Sequence, residues 1–386
     1  MGVSGASEAI GNQLAIYSSL PLHGPTASIS EQLVNGEKLA LAEVGGRIGP
    51  FRIGYVSFDD SSPTSGQWSP GATASNAKMA AEDTTTIAYL GEYNSAATAI
   101  SLPLINAAGI LQVSPASPYV GLTSALDAGQ DEPERFYPSG RRTFGRLQPG
   151  DQVQAAAQVK LMGQLGVHKL YVLDDQDPFE EPLAAIVAGD AEQAGIAVAA
   201  HDSLATTAGA VFTGEVEKVV KSRAQAVFFA GGTGPGPVAL WKQLHSAAPQ
   251  LLLLGASTMV SEAFTSQIEG AAAETYLTTP IQPLSLYPIS AQRELSDYRR
   301  YFGGEAGPWA LYGYETMSVV LDAIRRAGVH GNDRQAVIER FFATTDRDSV
   351  IGRYSIQANG ETTLSGYAVD RIVNGRPVFY RALDAP

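Results

Sequence analysis

The chain of 386 residues contains no cysteine. This absence excludes a disulfide framework, thiolate metal sites and cysteine nucleophiles, although it leaves the cellular compartment open. No apolar run reaches the roughly 18 residues that a membrane-spanning helix needs. Hydrophobic residues make up 45% and charged residues 17% of the chain, which is typical of folded globular proteins. The length predicts two domains.

Basic residues are few and scattered along the chain. There are 26 Lys and Arg against 39 Asp and Glu, so the net charge is -13. Nucleic acids are bound by dense positive patches, and the sequence therefore argues against a nucleic acid partner. A net negative surface charge keeps a protein soluble, and its copies repel each other. We therefore expect a monomer.

Motifs for phosphate binding and catalysis are also absent. The glycine-rich segment 231–237 contains no lysine, and its prolines lack the amide donors that cradle a phosphate. No Gly-x-Ser-x-Gly elbow follows a strand, and the five histidines show no metal-ligand spacing. The pair Asp174-Asp175 could serve acid–base chemistry, but a turn or helix cap explains it better. We therefore expect no enzyme, no cofactor and no metal site.

The first residues, Met1 to Asn12, are small and polar and lack the apolar core of a signal peptide. Such a start is typical of an exported protein whose leader has been removed. A protein that stays in the cytosol would begin in the same way. We expect residues 1–11 to be disordered or to belong to an artificial leader.

One pattern recurs along the chain: a helical apolar stripe, then a glycine, then a short aliphatic strand. The glycines are Gly109, Gly166, Gly195 and Gly328, and each is expected to end a helix in the left-handed conformation. Strands that alternate with helices at this spacing predict parallel sheets with helices on both faces. The predicted fold class is therefore α/β, with two doubly wound parallel-sheet lobes.

Nine strands are predicted from β-branched and aromatic runs, several of them uniformly apolar as in sheets covered on both faces. They lie at 13–18, 51–58, 87–90, 110–113, 169–173, 196–200, 226–229, 251–254 and 275–278. The sequence Ser28-Ile-Ser-Glu31 is a capping box that predicts the start of one helix, and Pro149 predicts the start of another. Asn374-Gly375 predicts a hairpin between the last strands.

Three segments that follow predicted strands are candidates for ligand binding, because doubly wound folds bind ligands beyond the carboxyl ends of their strands. In the first, the hydroxyls of Ser95 and Thr98 and the amides of a first helical turn can hold a carboxylate, although Ser95 can equally cap its own helix. The second is Ser114 to Pro118. The third runs from Asp174 to Phe179, where the ring can cover an apolar part of a ligand or simply pack.

These segments, in this order, resemble the type I solute-binding family that includes the Leu/Ile/Val-binding proteins of ABC importers. The similarity runs from about Leu14 to Tyr380, and the order and spacing of its pieces make it specific. The clearest pieces are Gly91–Thr98, Ala108–Pro115, Leu122-Thr123, Arg146–Gln152, Tyr171–Asp175, Val227–Gly232, Pro308–Tyr314, Val350–Gly352 and Asn359–Glu361.

The resemblance implies two lobes joined by three crossovers, a three-strand hinge, with the ligand in the cleft between them. It assigns 12–148 with 282–355 to an N-terminal lobe, and 149–281 with 356–386 to a C-terminal lobe. It also implies a small ligand, an amino acid or organic acid, that is delivered to an ABC permease. The location would be extracytoplasmic, either periplasmic or lipid-anchored at the cell surface. A sensor or receptor module of the same fold and an enzyme using the cleft are the alternatives.

The resemblance further implies a set of ligand-binding residues. Ser95, Ala116 and Ser117 would meet the ligand carboxylate beyond the ends of two strands. Ala96 and Thr98, in the same helical turn as Ser95, are also expected to bind the ligand. Two aromatic side chains, Phe179 and Trp309, would form walls of the site.

Two departures from the family pattern concern the ligand's ammonium group. Ser257 stands where related amino-acid binders place an acidic residue, and Gly232 or Thr233 stands where they place a tyrosine. A serine cannot neutralise a buried ammonium group, and an unpaired buried charge is costly. Either another carboxylate takes its place, with Glu92 and Asp175 the nearest in sequence, or the ligand has no ammonium group.

Overall fold

The computed structural model describes residue 9, residues 11–64 and residues 66–384. The expectation for residues 1–11 falls almost entirely outside this part of the chain. Within the described part, every helix is either too short or too polar to span a bilayer.

The secondary structure alternates between strands and helices along most of the chain. The strands are β1 (Gln13–Leu20), β2 (Arg47–Ile48), β3 (Phe51–Asp59), β4 (Thr86–Leu90), β5 (Leu111–Ser114), β6 (Phe144–Arg146), β7 (Lys169–Asp174), β8 (Ala197–Ser203), β9 (Ala226–Ala230), β10 (Leu252–Gly255), β11 (Thr275–Thr279), β12 (Arg347–Ser349), β13 (Gly352–Tyr354), β14 (Gly366–Val373) and β15 (Arg376–Asp384). The helices are α1 (Ala27–Glu43), α2 (Pro70–Glu82), α3 (Ser95–Ala107), α4 (Asp151–Gln164), α5 (Glu181–Gln193), α6 (Thr213–Ser222), α7 (Pro235–Ala247), α8 (Glu262–Thr265), α9 (Ile289–Phe302), α10 (Pro308–Ala327) and α11 (Arg334–Phe342).

The chain divides into two compact units and passes from one to the other three times. The first unit consists of Met1–Gly150 and Leu284–Leu364, and the second of Asp151–Pro283 and Ser365–Pro386. The segment 356–364, which the sequence analysis assigned to the second lobe, thus lies in the first unit. The reason is that the Arg146 amide donates to the Gly360 carbonyl at 3.1 Å, which ties this segment to β6.

The first unit contains a six-stranded sheet in the order β2-β3-β1-β4-β5-β6. All neighbouring strands are parallel except β2 and β3. β4 is buried along its whole length, as expected for a strand covered on both faces. Helix α1 packs against α10, and α2 packs against α3.

The second unit contains a seven-stranded sheet in the order β15-β14-β11-β10-β9-β7-β8. The five strands β7 to β11 are parallel, and β14 and β15 add an antiparallel edge. Its core is organised around Trp241, whose ring meets Phe229 and Phe264 edge to face at 5.6 and 5.5 Å. The indole nitrogen donates to Thr275 Oγ1 at 3.0 Å, so the buried polar atom is satisfied.

Most of the predicted local structure is confirmed. The nine predicted strands correspond to β1, β3, β4, β5 and β7 to β11. The four glycines expected to end helices have φ between 63° and 81°, the left-handed region that other residues avoid. Asn374 and Gly375 also have positive φ and join β14 to β15 as a hairpin.

Two local predictions differ from the structure. The capping box at Ser28–Glu31 does not start α1, because a 3₁₀ turn over Gly24–Thr26 runs directly into a helix that begins at Ala27. Strand β6 was not predicted, because its three residues, between a charged loop and a proline, are too few to form a recognisable β-branched or aromatic run. It pairs with β5 in parallel and forms an edge of the first sheet.

Glycines allow α1 and α10 to approach closely in the first unit. A Cβ atom added to Gly36 would lie 2.2 Å from the Ala310 carbonyl oxygen, and one added to Gly313 would lie 2.1 Å from the Leu33 carbonyl oxygen. Both distances are far below van der Waals contact. The face of α1 that carries Leu33 and Gly36 is therefore fitted to the backbone of α10.

This packing predicts that Gly36→Ala lowers the free energy of unfolding by about 1–3 kcal/mol, because the added methyl group forces the two helices apart. The matched control is Gly189→Ala in α5, where no atom of the described residues lies within 4 Å of the added carbon. It should be neutral or stabilising by up to about 1 kcal/mol. Urea denaturation measures both, and equal effects would contradict the close approach.

Candidate functional site

The loop that follows β4 ends at the start of α3, where the first candidate surface lies. Asn94 precedes the helix, and its side chain makes no capping hydrogen bond within the described residues, so the first amides of α3 keep their donors. Ser95 Oγ accepts from the Tyr119 amide at 3.2 Å. Ser95 therefore does not cap its own helix, and its hydroxyl hydrogen remains to be donated. Ser95 and Ala96 are both partly exposed, which suits an anion at the positive helix end.

Thr98 and Ser117 lie beneath this surface and are completely buried. Their hydroxyl oxygens are 2.7 Å apart. Thr98 Oγ1 accepts from the Glu92 amide at 3.2 Å, and the Ser114 and Ser117 hydroxyls donate to the Glu92 carbonyl at 2.7 and 3.0 Å. These bonds fasten the loop after β4 to the loop after β5. The hydroxyls of Thr98 and Ser117 are thus engaged inside the protein, where they position Ser95.

Ala116 lies beside this network and is also buried. Its amide donates to Ser114 Oγ at 3.0 Å, which shapes the turn that follows β5. Ser117 has φ of 55°, so the turn reverses sharply at this residue. Together with the Thr98 contact, this turn brings the second candidate segment against the first.

A fully buried arginine supports the second segment from β6. Arg146 Nη1 donates to the carbonyls of Ser117 at 2.6 Å and Tyr119 at 2.8 Å. Its Nε donates to Glu361 Oε2 at 3.0 Å, and Nη2 contacts the other oxygen of the same carboxylate and Thr123. The sequence analysis quoted Arg146 and Glu361 as parts of the family resemblance without assigning them a role. Their pairing across 215 residues is visible only in the structure.

Glu92 does not fit the ammonium-binding role that the sequence analysis considered for it. The residue is completely buried, and its Oε1 accepts from the Tyr89 hydroxyl at 2.6 Å. Burial, and then the charge of Asp60, raise the pKa of Glu92 well above its usual range. The protonated form is favoured, and the side chain supports the loop from inside the unit.

Aromatic rings flank the start of α3. Trp309 is the second residue of α10, and its ring meets Tyr93 edge to face at 5.5 Å. Tyr93 stands two residues before Ser95, so the predicted aromatic wall adjoins the first candidate surface. Burial raises the pKa of Tyr93 to about 12, and its hydroxyl therefore stays protonated. The sequence analysis did not select Tyr93, although the segment Gly91–Thr98 that contains it was identified.

In the second unit, β7 ends in two carboxylates with different surroundings. Asp174 is buried and accepts from Ser203 Oγ at 2.8 Å and from the Gln176 amide at 2.9 Å, and it lies 2.8 Å from His201 Nε2. Burial alone would raise the pKa of Asp174, but the hydrogen bonds from His201, Gln176 and Ser203 lower it overall. Asp174 is thus a satisfied structural carboxylate at the end of the strand.

Asp175, by contrast, points toward the loops that follow neighbouring strands. Its Oδ2 accepts from the Gly232 amide at 2.8 Å. Thr258, in the loop after β10, donates to the Gly231 carbonyl at 2.8 Å and has its hydroxyl 3.5 Å from Glu180 Oε2. Two carboxylates therefore lie at the edge where β7, β9 and β10 end. Both are partly exposed.

Both carboxylates have raised pKa values. For Asp175 the main cause is burial, followed by the nearby charges of Asp177 and Asp174. For Glu180 burial is again the largest cause, and Asp151 and Asp175 add to it, so that the pKa lies well above its usual range. Crowded, partly desolvated carboxylates of this kind favour either a proton or a cationic partner.

The other predicted residues of the second unit lie at the same edge. Ser257 opens the 3₁₀ turn after β10 and is partly exposed, and Thr233 is exposed in the loop after β9. Phe179 is partly exposed and its amide donates to Asp177 Oδ1 at 2.8 Å. Glu180 thus places a carboxylate beside Thr258, the residue that follows Ser257, and sequence spacing did not reveal this position.

A family model described as periplasmic binding protein matches residues 18–376. The chain belongs to this family. The match confirms the resemblance found in the sequence, and the two parallel-dominated sheets are those of its type I fold.

Known relatives of this periplasmic binding protein are similar along most of its length. A Leu/Ile/Val-binding protein homolog 3 from Brucella melitensis is 23% identical over 363 residues, which cover 93% of this chain and 91% of that protein. An amino acid binding protein from Pseudomonas aeruginosa is 23% identical and covers 90% of this chain and 87% of its own length.

Solved structures share the fold. The leucine-binding protein LivK from Thermotoga maritima has a TM-score of 0.77 at 20% identity, covering 96% of this chain and 99% of its own. A solute-binding protein of an ABC transporter from R. palustris, solved in complex with benzoate, has a TM-score of 0.71 at 15% identity and covers 97% of each chain.

The buried Arg146–Glu361 pair predicts a large loss of stability when one partner is removed from this periplasmic binding protein. Arg146→Met removes the guanidinium that pairs with Glu361 and donates to the carbonyls of Ser117 and Tyr119, so the free energy of unfolding should fall by about 3 kcal/mol. Arg376→Met, which breaks the mostly exposed pair with Glu262, should cost about 0.5 kcal/mol or less. Denaturant titration compares them, and similar losses would contradict the structural role of Arg146.

Proposed function

We propose that this periplasmic binding protein captures an amino acid outside the cytoplasm and delivers it to an ABC permease. The observation that carries the proposal is the position of Asp175 and Glu180 beside Thr258. These two carboxylates offer the negative charge that Ser257 lacks. The proposal includes a periplasmic or lipid-anchored location and a monomeric protein without catalytic activity.

The first unit supports recognition of the amino acid's carboxylate. Ser95 has a hydroxyl hydrogen to donate, and the first amides of α3 point in the same direction at the positive end of the helix. Charge-assisted hydrogen bonds from such donors are stronger than neutral ones. The network of Thr98, Ser117 and Arg146 holds these donors in place, so little ordering is needed when the ligand binds.

The second unit supports recognition of an ammonium group. Asp175 and Glu180 are partly exposed carboxylates whose pKa values are raised by burial and by nearby acidic residues. An ammonium group placed beside them would relieve this electrostatic strain and favour their ionised forms. The relatives named as Leu/Ile/Val-binding and amino acid binding proteins bear names consistent with such a ligand.

Each unit has aromatic side chains near its candidate residues, Tyr93 and Trp309 in the first unit and Phe179 in the second, which favours a ligand with an apolar or aromatic group. Gly232 and Thr233 leave more room than the tyrosine found in similar amino-acid binders. We therefore infer a ligand at least as large as leucine.

An organic acid without an ammonium group is the second candidate ligand, and the serine at position 257 favours it. The similar protein from R. palustris was solved with benzoate. A sensor or receptor module would bind either ligand in the same way. The two classes of ligand, amino acid and organic acid, differ in how their binding depends on Asp175 and Glu180.

Calorimetric titration with leucine or phenylalanine and their 2-hydroxy acid analogues separates the two ligand classes. Asp175→Asn and Glu180→Gln should each weaken binding of the amino acid about tenfold or more, equivalent to about 1.4 kcal/mol, and leave any hydroxy acid binding nearly unchanged. Ser95→Ala should weaken both ligand types alike, since it acts on the shared carboxylate.

Glu192→Gln is the matched control, because it removes the same charge from an exposed position in the second unit. It should leave all affinities unchanged. Hydroxy acids that bind as tightly as the amino acids would support the organic acid instead. Their affinity should then be unaffected by Asp175→Asn and Glu180→Gln.

The raised pKa values also predict how affinity changes with pH. A raised pKa means that Asp175 and Glu180 take up a proton at a higher pH than ordinary carboxyls. The protonated form cannot pair with an ammonium group, so affinity for the amino acid should fall as the pH is lowered below neutral. Binding near neutral pH should release protons, which titration in buffers of different ionisation enthalpy measures. Affinity that is independent of pH and releases no protons would contradict this pairing.

A further inference from the structure

Three carboxylates meet in the first unit at the end of α1, away from the candidate ligand surfaces. Glu43 is the last residue of α1, and Glu294 and Asp297 are one turn apart on α9. One oxygen from each side chain lies within 4.8 Å of the other two. Calcium–oxygen bonds are about 2.3–2.6 Å long, so oxygens separated by up to about 5 Å can share one ion.

Glu294 provides an observation that is independent of this clustering. Its side chain is only 2% exposed, and its Oε2 atom is buried with no hydrogen-bond partner in the described part of the chain. Its other oxygen accepts from Arg293 Nε at 2.8 Å and Nη2 at 2.6 Å. One carboxylate oxygen of Glu43 lies within 4.8 Å of one from Glu294. Two carboxylates this close repel each other unless a proton or a cation lies between them.

Among the described residues, the guanidinium paired with this group is that of Arg293. The Arg293 side chain is 71% exposed, so solvent screens its contribution. Arg347, the next guanidinium along the same surface, pairs with Glu315 at 2.6 Å. Glu43 also sits at the negative end of α1, whose last turn has no basic residue.

We propose that Glu43, Glu294 and Asp297 bind a hard divalent cation, with Ca²⁺ the best fit. Oxygen ligands alone favour Ca²⁺, Mg²⁺ or Mn²⁺ over softer metals, and ligands from two separate helices on a surface suit the flexible coordination of Ca²⁺. Tyr314 donates to Glu43 Oε2 at 2.6 Å and orients that carboxylate. Glu294 and Tyr314 also line a surface cleft of about 380 Å³, so the group borders open space.

The bound ion would join the end of α1 to α9. No metal site was expected from the sequence, because metal ligands are recognisable there only by regular spacing on one element. These three ligands come from two helices that are far apart in sequence, and they include no histidine.

Thermal unfolding of the full chain after treatment with a chelator tests the site, with CaCl₂, MgCl₂ or MnCl₂ added singly at millimolar concentration. Ca²⁺ should raise the Tm of the wild-type protein by several degrees. Asp297→Asn and Glu294→Gln should each abolish this rise. The matched control is Glu305→Gln, which removes an exposed charge in the same unit and should keep the full rise.

Three results would overturn the proposal. The first is the lack of a Tm shift of the wild-type protein with all three salts. The second is a shift that survives in both variants, which would indicate general charge screening. The third is stability that depends on pH but not on any cation, which would show that Glu43 and Glu294 share a proton instead. The amino acid titrations are unaffected by these outcomes, because they concern other residues.

Discussion

Parallel strands bring their carboxyl ends to one edge of a sheet, and the loops that follow them must meet at that edge. In the first unit this constraint brings the loop after β4 against the loop after β5, where Thr98 and Ser117 are joined through their hydroxyls. In the second unit it brings together the loops after β7, β9 and β10, where Asp175 binds the Gly232 amide. Every candidate ligand-binding residue except Trp309 belongs to one of these loops or to a helix that one of them begins.

The charged residues near the candidate surfaces differ in their burial and in their hydrogen-bond partners. The Arg146 guanidinium is fully enclosed, and carbonyl groups and the Glu361 carboxylate accept its hydrogens. Asp174 is similarly satisfied by its neighbours. Asp175 and Glu180, in contrast, are crowded carboxylates with raised pKa values and with surface left open. A partly exposed carboxylate with a raised pKa is a candidate for ligand binding, whereas Arg146 and Asp174 have their partners within the protein.

The features that could be predicted from the sequence are those encoded within a few neighbouring residues. A strand such as β4 is a continuous apolar run, and a glycine such as Gly166 ends a helix because of its own backbone freedom. The capping box failed for the opposite reason, since a 3₁₀ turn upstream determined where α1 begins. Likewise, β6 is too short to carry a pattern, and its identity depends on β5 beside it.

The candidate site was predictable only in part. Ser95 could be found because its loop follows a clear strand and precedes a helix. The pairing of Arg146 with Glu361, and the place of Glu180 beside Thr258, depend on contacts between residues far apart in sequence. The burial of Thr98 and Ser117 and their hydrogen-bond partners could not be seen in a motif either. Sequence thus located the loops, and the structure distinguished the residues that support them from those that remain accessible.

The most direct test of the central claim is a crystal structure of the protein with the amino acid that it binds most tightly. The account predicts that the ligand carboxylate accepts hydrogen bonds from Ser95 and the first amides of α3, and that its ammonium group contacts Asp175 or Glu180. A bound ligand without an amine, or an ammonium group that meets neither carboxylate, would contradict it.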